Sequence, residues 1–174
     1  KNREFKSEDM TDDYLDKLNA DRRIIQSLLD RWERIKDDPK LETFMFKLES
    51  EFFAKDKNNP HSPNDQKLVI FTEAIDTVNI LQKKLKNTSH KVLAITAANR
   101  DAMRETIKSN FDANYDGIPK NEYDILITTE VLAEGVNLHR SNVIVNYDTP
   151  WNSTRLMQRI GRVNRIGSKE DFVY

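Results

Sequence analysis

The sequence predicts an α/β domain, an open parallel sheet flanked by helices, preceded by a helical segment. Three observations predict it. From Lys67 onward, short continuous apolar runs alternate with stretches of helical periodicity, the pattern of strands buried on both faces. Before Lys67 the only periodicity is helical. Between the two textures lies KDKNNPHSPNDQ, Lys55 to Gln66, a polar run that reads as a loop or linker.

Residues 8 to 36 are rich in charge and carry apolar side chains at Leu15, Leu18, Ile25, Leu28, Leu29, Trp32 and Ile35, near heptad spacing at Leu18, Ile25 and Trp32. They predict one long amphipathic helix. Asp38-Pro39 supplies a cap and first-turn signal for a second helix, with Leu41, Phe44, Met45, Leu48 and Phe52 on one face. Residues 1–60 therefore read as a helical lead-in and linker whose apolar faces serve packing.

The α/β domain spans 67–174. Its strands are KLVIFT (Lys67 to Thr72), KVLAIT (Lys91 to Thr96), DILITT (Asp124 to Thr129) and VIVNYD (Val143 to Asp148). A helix carrying Ile75, Val78, Leu81 and Leu85 follows the first strand, and one from about Asn99 to Phe111 follows the second. A short helical turn follows the third, an arginine-rich helix the fourth, and DFVY opens a further strand. The chain starts without methionine and stops inside that strand, so a piece of a larger protein is expected. In open parallel sheets ligands gather at the carboxyl ends of the strands. Here those ends carry Thr72-Glu73, Thr96, Thr128-Thr129 and Asp148-Thr149.

Composition narrows the function classes. The 174 residues, 37% hydrophobic, suit one main domain at the usual ~100–200 residues per domain. Charge is balanced, 28 basic against 29 acidic residues, so any nucleic-acid site must be local. The absence of cysteine excludes disulfides, thiol catalysis and zinc ribbons, and His61, His90 and His139 lack ligand spacing, so no metal site is expected. No apolar run approaches the ~20 residues that span a bilayer, and the first residues lack a signal-peptide core. A soluble cytoplasmic protein with no membrane partner is expected.

The local concentration of charge is QRIGRVNRIG, Gln158 to Gly167. At about 100° per residue, Leu156, Ile160 and Val163 share one helix face while Gln158, Arg162 and Arg165 share the opposite one. Asn152 or Ser153 can cap this helix and Gly167 can end it. Gly161 sits inside it, at a cost of about 1 kcal/mol relative to alanine, which suggests a close neighbour to the backbone. From Trp151 to Lys169 there are five basic residues and no acidic one, which suggests an anionic ligand supplied from outside. Upstream, TEVLAEGVNL places Gly135 and Asn137 after a buried strand, where backbone amides and a side-chain amide can approach phosphate or ribose.

Taken in order, these segments resemble the C-terminal (second) RecA-like lobe of superfamily-two helicases and translocases, and within them the Swi/Snf-type ATPases, bacterial members especially. The resemblance covers about Lys67 to Tyr174. Gln158, Gly161, Arg162 and Arg165 match Q-x-x-G-R-x-x-R, the family's motif six. Thr129, Gly135 and Asn137 match its motif five, the strand ending at Phe71-Thr72 its motif four, and Arg104 and Phe111 a helix between them. Trp151-Asn152 and Arg165-Ile166-Gly167 lean toward the Swi/Snf type, whereas Ser153, Ser168 and Ala133-Glu134-Gly135 depart from its usual residues.

The resemblance implies a motor lobe acting on ATP and Mg in the full-length protein, with neither bound by this lobe alone. Arg162 and Arg165 would be arginine fingers on the γ-phosphoryl oxygens. Gln158, Gly135 and Asn137 would line the nucleotide, and Thr72 and Thr129 would touch a nucleic-acid backbone without reading sequence. No G-x-x-x-x-G-K-[ST] and no strand-end Asp-Glu pair occurs, so the implied partner is an N-terminal RecA-like lobe of the same polypeptide, with DNA as substrate and RNA not excluded. Without a P-loop, Asp148 reads as no metal ligand. The fragment alone is expected to be an inactive monomer. The alternative is a non-catalytic α/β module that binds nucleic acid or protein through its basic helix.

Overall fold

A computed structural model describes residues 10–53, 66–132, 135–165 and 173. By internal contacts the chain divides into two compact units, one running through Phe44 and one from Met45.

In the first unit, helix α1 spans Tyr14–Glu33. It is shorter than the sequence suggests, because Tyr14 N bonds to Thr11 O at 2.9 Å in a turn that precedes it. None of its residues is buried, so the stripe from Leu15 to Trp32 lies exposed. Helix α2, Pro39–Lys47, starts where Asp38 Oδ1 accepts from Leu41 N at 3.0 Å, the cap that Asp38-Pro39 predicts. It buries Leu41 and Phe44. Leu48–Phe52, already in the second unit, widens into a π-helical turn closed by Phe53 N on Leu48 O at 2.9 Å.

The second unit is built on four parallel strands, β1 (Leu68–Phe71), β2 (Val92–Ile95), β3 (Ile125–Thr128) and β4 (Val143–Asn146). Their order is β2-β3-β1-β4, and Ile95, Thr128, Phe71 and Asn146 stand in one row at the carboxyl edge. Each strand is shorter than the segment predicted for it, and all four are parallel as the sequence predicts. Every residue of β1 and β3 is buried, so both faces of the sheet centre are covered, which is why these runs do not alternate.

Helix α3, Ile75–Leu85, buries Val78, Leu81 and Leu85 and packs on β2 and β3. Helix α4, Arg104–Phe111, places Ile107 and Phe111 in a core with Val69, Phe71, Leu93, Ile95, Leu126 and Val163, against which Val173 also packs. It begins later than Asn99. The Asn99 side chain accepts from Thr96 N at 2.8 Å and donates to Ala94 O at 3.0 Å, which holds the chain in a turn first.

Helix α5, Ser153–Val163, is capped by Asn152 Oδ1, which accepts from Thr154 N at 2.9 Å. It ends at Val163, where Asn164 leaves helical geometry at φ −82 and ψ 90, so Gly167 does not end it. Gly167, most of the loop Lys55 to Gln66, and all of DFVY but Val173 lie outside the described residues.

The loop after α4 is tied down from two sides. Asn110, fully buried, accepts from Glu122 N at 2.8 Å and donates to Thr106 O at 2.9 Å. Arg140 donates to Ser109 O at 3.0 Å, Lys120 O at 2.8 Å and Asn121 Oδ1 at 2.5 Å. Asn110→Ala should lower unfolding free energy by about 1–3 kcal/mol, since it strands the Glu122 amide. Urea denaturation with an unchanged m-value would check this.

Candidate functional site

The carboxyl edge of the sheet carries the predicted hydroxyls, and the structure shows how they are held. Thr72 follows β1, its amide on Thr128 O at 3.0 Å, and it is fully buried. Its hydroxyl donates to Asp148 Oδ2, which also accepts from Glu73 N at 3.3 Å. A phosphate could take the Thr72 proton only by displacing Asp148. Asp148 thus has a structural role that the sequence reading missed. Thr129 is 8% exposed and starts the 3-10 turn Glu130–Leu132.

The arginine-rich helix differs from its sequence reading in one respect that reorganises the site. Arg159 is 0% exposed. Its Nε donates to Glu130 Oε1 at 2.8 Å and its Nη2 to the same oxygen, while Nη1 reaches Asn146 Oδ1 at 2.9 Å and Asp148 O at 3.0 Å. The guanidinium carbon lies 5.3 Å from the centre of the Phe71 ring. One basic residue of this segment is therefore neutralised by a carboxylate from another segment, which corrects the inference that the arginines await only an external anion. The signal was present: Arg159 is three residues from Leu156 and four from Val163, on the apolar side of α5, where a charge must be paired.

The remaining candidates are disposed along α5 and the segment after the 3-10 turn. Gln158 is exposed and Arg162 half-buried. Arg165 is exposed and lies beyond the helix end rather than on its face, with Nε donating to Gly161 O at 3.1 Å. Gly135 has φ 81, in the left-handed region that favours glycine. A Cβ there would stand 3.2 Å from the Arg100 guanidinium, and Arg100, Arg104, Ile107, Gly135 and Val136 line one small opening. Asn137 is half-buried. Leu138 N donates to Arg162 O at 2.9 Å, which joins the Gly135–Asn137 segment to the last turn of α5. The structure thus brings Gly135, Asn137 and Arg162 into one neighbourhood. Gln158 stands one turn earlier on the helix.

A Cβ at Gly161 would meet nothing within 4 Å, so no described part of this chain supplies the close neighbour that the glycine suggests. Among the described residues, no group of three or more His, Asp or Glu could hold a metal ion, and no helix is long and apolar enough to cross a membrane.

The sequence pattern of the family described as "Helicase conserved C-terminal domain" matches residues 48–167, more than half of the chain. The chain belongs to this family. The lobe is the C-terminal RecA-like lobe of a superfamily-two helicase. It is 35% identical over 107 residues to an uncharacterized ATP-dependent helicase, YqhH, of Bacillus subtilis (strain 168), a match that covers 62% of this chain and 18% of that protein. It is 36% identical over 101 residues to the ATP-dependent RNA helicase eIF4A of Debaryomyces hansenii, covering 58% of this chain and 24% of that protein. The chain therefore spans less than a quarter of the length of these relatives. Among solved structures, the C-terminal part of the Fun30 ATPase domain superposes with a TM-score of 0.59 at 20% identity, covering 95% of this chain and 49% of that one, a likeness of fold.

Two expectations follow from the helicase lobe's local physics. Gly161→Ala adds a Cβ into open space within a helix, and should raise unfolding free energy by roughly 0.5–1 kcal/mol, read from the urea midpoint. His139 is 1% exposed, and burial pushes its pKa below 6.5; Asp112, 3.6 Å away, opposes this and the Arg165 cation adds to it. Below the unfolded value the unfolded chain takes a proton that the folded chain refuses, so stability is full above about pH 6.5 and falls as pH drops. Urea midpoints across that range should decline, and His139→Leu should flatten the decline.

Proposed function

We propose that this chain is the second motor lobe of an ATP-dependent nucleic-acid translocase of Swi/Snf type, acting on double-stranded DNA. Residues 1–60 serve as a helical lead-in, and residues 67–174 form the lobe. ATP binds in the full-length protein against an N-terminal RecA-like lobe of the same polypeptide, which supplies the phosphate cradle and the carboxylates for magnesium. The observation that carries the reading is the bond from Leu138 N to Arg162 O, which sets the segment of Gly135 and Asn137 beside the end of the helix bearing Gln158 and Arg162.

Each group has work that fits its chemistry. Arg162 and Arg165 present planar cations that can each grip two phosphate oxygens, and stabilise the charge that spreads over the γ-phosphoryl group as it transfers. Gln158, exposed on α5, offers an amide to the nucleotide, and Gly135 and Asn137 approach its sugar-phosphate side. Thr129 and Thr72, at the sheet edge, contact the nucleic-acid backbone, Thr72 by exchanging Asp148 for a phosphate oxygen. Trp151-Asn152 supports the Swi/Snf assignment, whereas the likeness to a protein named an RNA helicase supports RNA. Stimulation of turnover by a DNA duplex against single-stranded RNA decides between them.

In the full-length protein, Arg162→Lys keeps the charge and loses the fork. Turnover should fall steeply, toward the ~10³–10⁵-fold worth of an arginine finger, with ATP affinity little changed. Arg155→Lys should be mild. This chain alone should show no ATP hydrolysis above background, with or without nucleic acid. If Arg162→Lys leaves stimulated turnover near wild type but weakens nucleic-acid binding, the arginines form a binding patch and the motor reading is wrong.

A further inference from the structure

Helix α1 carries an apolar stripe that no described residue covers: Ile25 is 65% exposed and Trp32 73%, and none of the helix is buried. Monomeric proteins rarely leave such a run open to water. We infer that α1 is a self-association surface on which a second copy of this chain lies antiparallel, with Arg22 of each copy held by Trp32 and Glu33 of the other. The inference stands apart from the motor reading above.

Charge decides what kind of partner fits. Within Tyr14–Glu33 the acidic residues Asp16, Asp21, Asp30 and Glu33 are matched by the basic residues Lys17, Arg22, Arg23 and Arg31. So neutral a helix lacks the basic face that nucleic acid or an anionic membrane selects. The chain as a whole carries a net charge of −1, so two copies approach each other without strong repulsion.

The heptad positions settle the orientation. Leu18, Ile25 and Trp32 hold one of the two core positions, and Leu15, Arg22 and Leu29 hold the other. Parallel copies in register would set Arg22 against Arg22 in the core, where like charges have nothing to pair with. An antiparallel pair centred on Ser27 removes that conflict. Ile25 then meets Leu29 of the second copy, Leu28 meets Leu28 across the two-fold axis, and Leu18 meets Ile35, whose amide still bonds to Trp32 O at 2.9 Å. Arg22 falls level with Trp32 and Glu33 of the second copy, so its guanidinium gains an aromatic face and a carboxylate. Asp21 falls beside Arg31 of the second copy. The two-fold axis repeats every contact, as a closed dimer requires.

The overlap from Leu18 to Ile35 is about 27 Å long at the rise of an α-helix. A contact of that length and one helix wide lies at the low end of the ~1,200–2,000 Å² that stable interfaces bury, so the dimer is a weak one. The monomer expected from the sequence is then the form at low concentration.

The test is sedimentation equilibrium of this chain from about 1 to 100 µM, where a reversible monomer–dimer equilibrium is expected. Leu29→Asp puts a charge into the stripe and should weaken dimerisation by roughly 100-fold, with circular dichroism unchanged because the side chain is not buried in the monomer. Arg22→Glu and Glu33→Arg should each weaken it by about tenfold, and mixing the two variants should restore it, since each supplies the charge that the other lacks. The chain has no cysteine, so Ser27→Cys and Arg34→Cys give unique sites for spin labels. Antiparallel copies bring labels at the first site closer together than labels at the second, whereas parallel copies give one distance for both.

A chain that stays monomeric at the highest concentration overturns the inference. So does a dimer indifferent to Leu29→Asp, which would rest on another surface. Equal label distances, or no recovery on mixing, overturn the antiparallel pairing. If this chain dimerises but the full-length protein stays monomeric, the stripe belongs to another segment of the polypeptide and the inference fails.

Discussion

The site is organised around one buried cation. Placing a guanidinium where no solvent reaches it costs several kcal/mol, and the cost is offset only when the charge is paired and the donors are satisfied. Arg159 meets both demands with groups from three places in the chain: Glu130 after β3, Asn146 at the end of β4, and the Asp148 carbonyl beyond it. The ring of Phe71 from β1 adds its face. Fixing one side chain thereby fixes the spacing of three strand ends and the orientation of α5.

Charge balance across the chain gives no hint of this. With 28 basic and 29 acidic residues, the sequence looks like an ordinary solvated surface. What matters is pairing across distance. Glu130 comes 29 residues before Arg159, so a count within the arginine-rich segment misses it. The remaining arginines differ from Arg159 in exposure, Arg162 half-buried and Arg165 exposed, and this gradation separates residues that could meet a ligand from one that holds the frame.

The fold was legible where a single physical signal decided each element. Strands buried on both faces must be apolar without alternation, so LVIF, VLAI, ILIT and VIVN stand out and their parallel pairing follows from the helices between them. Caps were legible where a short polar side chain could reach an amide, as at Asp38 and Asn152. Misreadings arose at the ends of helices. Asn99 delays α4 by bonding to Thr96 N and Ala94 O, and Asn164 turns the chain before Arg165 can join α5. At the site, the motif residues were readable from order and spacing. The parts that bind them together, Arg159 with Glu130 and Thr72 with Asp148, were not, because each depends on which strand ends become neighbours in the sheet.

The strand order also constrains how the lobe is made. Strand β1 is flanked by β3 and β4, so Leu68 pairs with Ile125 on one side and Val143 on the other. During synthesis β1 leaves the ribosome with neither neighbour, and its four apolar residues must wait until the chain reaches Asn146 before both edges are paired. Contacts of such sequence separation make folding slow, and leave an unpaired apolar strand open to capture by other chains or by chaperones meanwhile. Arg159 emerges later still. Its ion pair with Glu130 therefore forms only after the last of the four strands has been made.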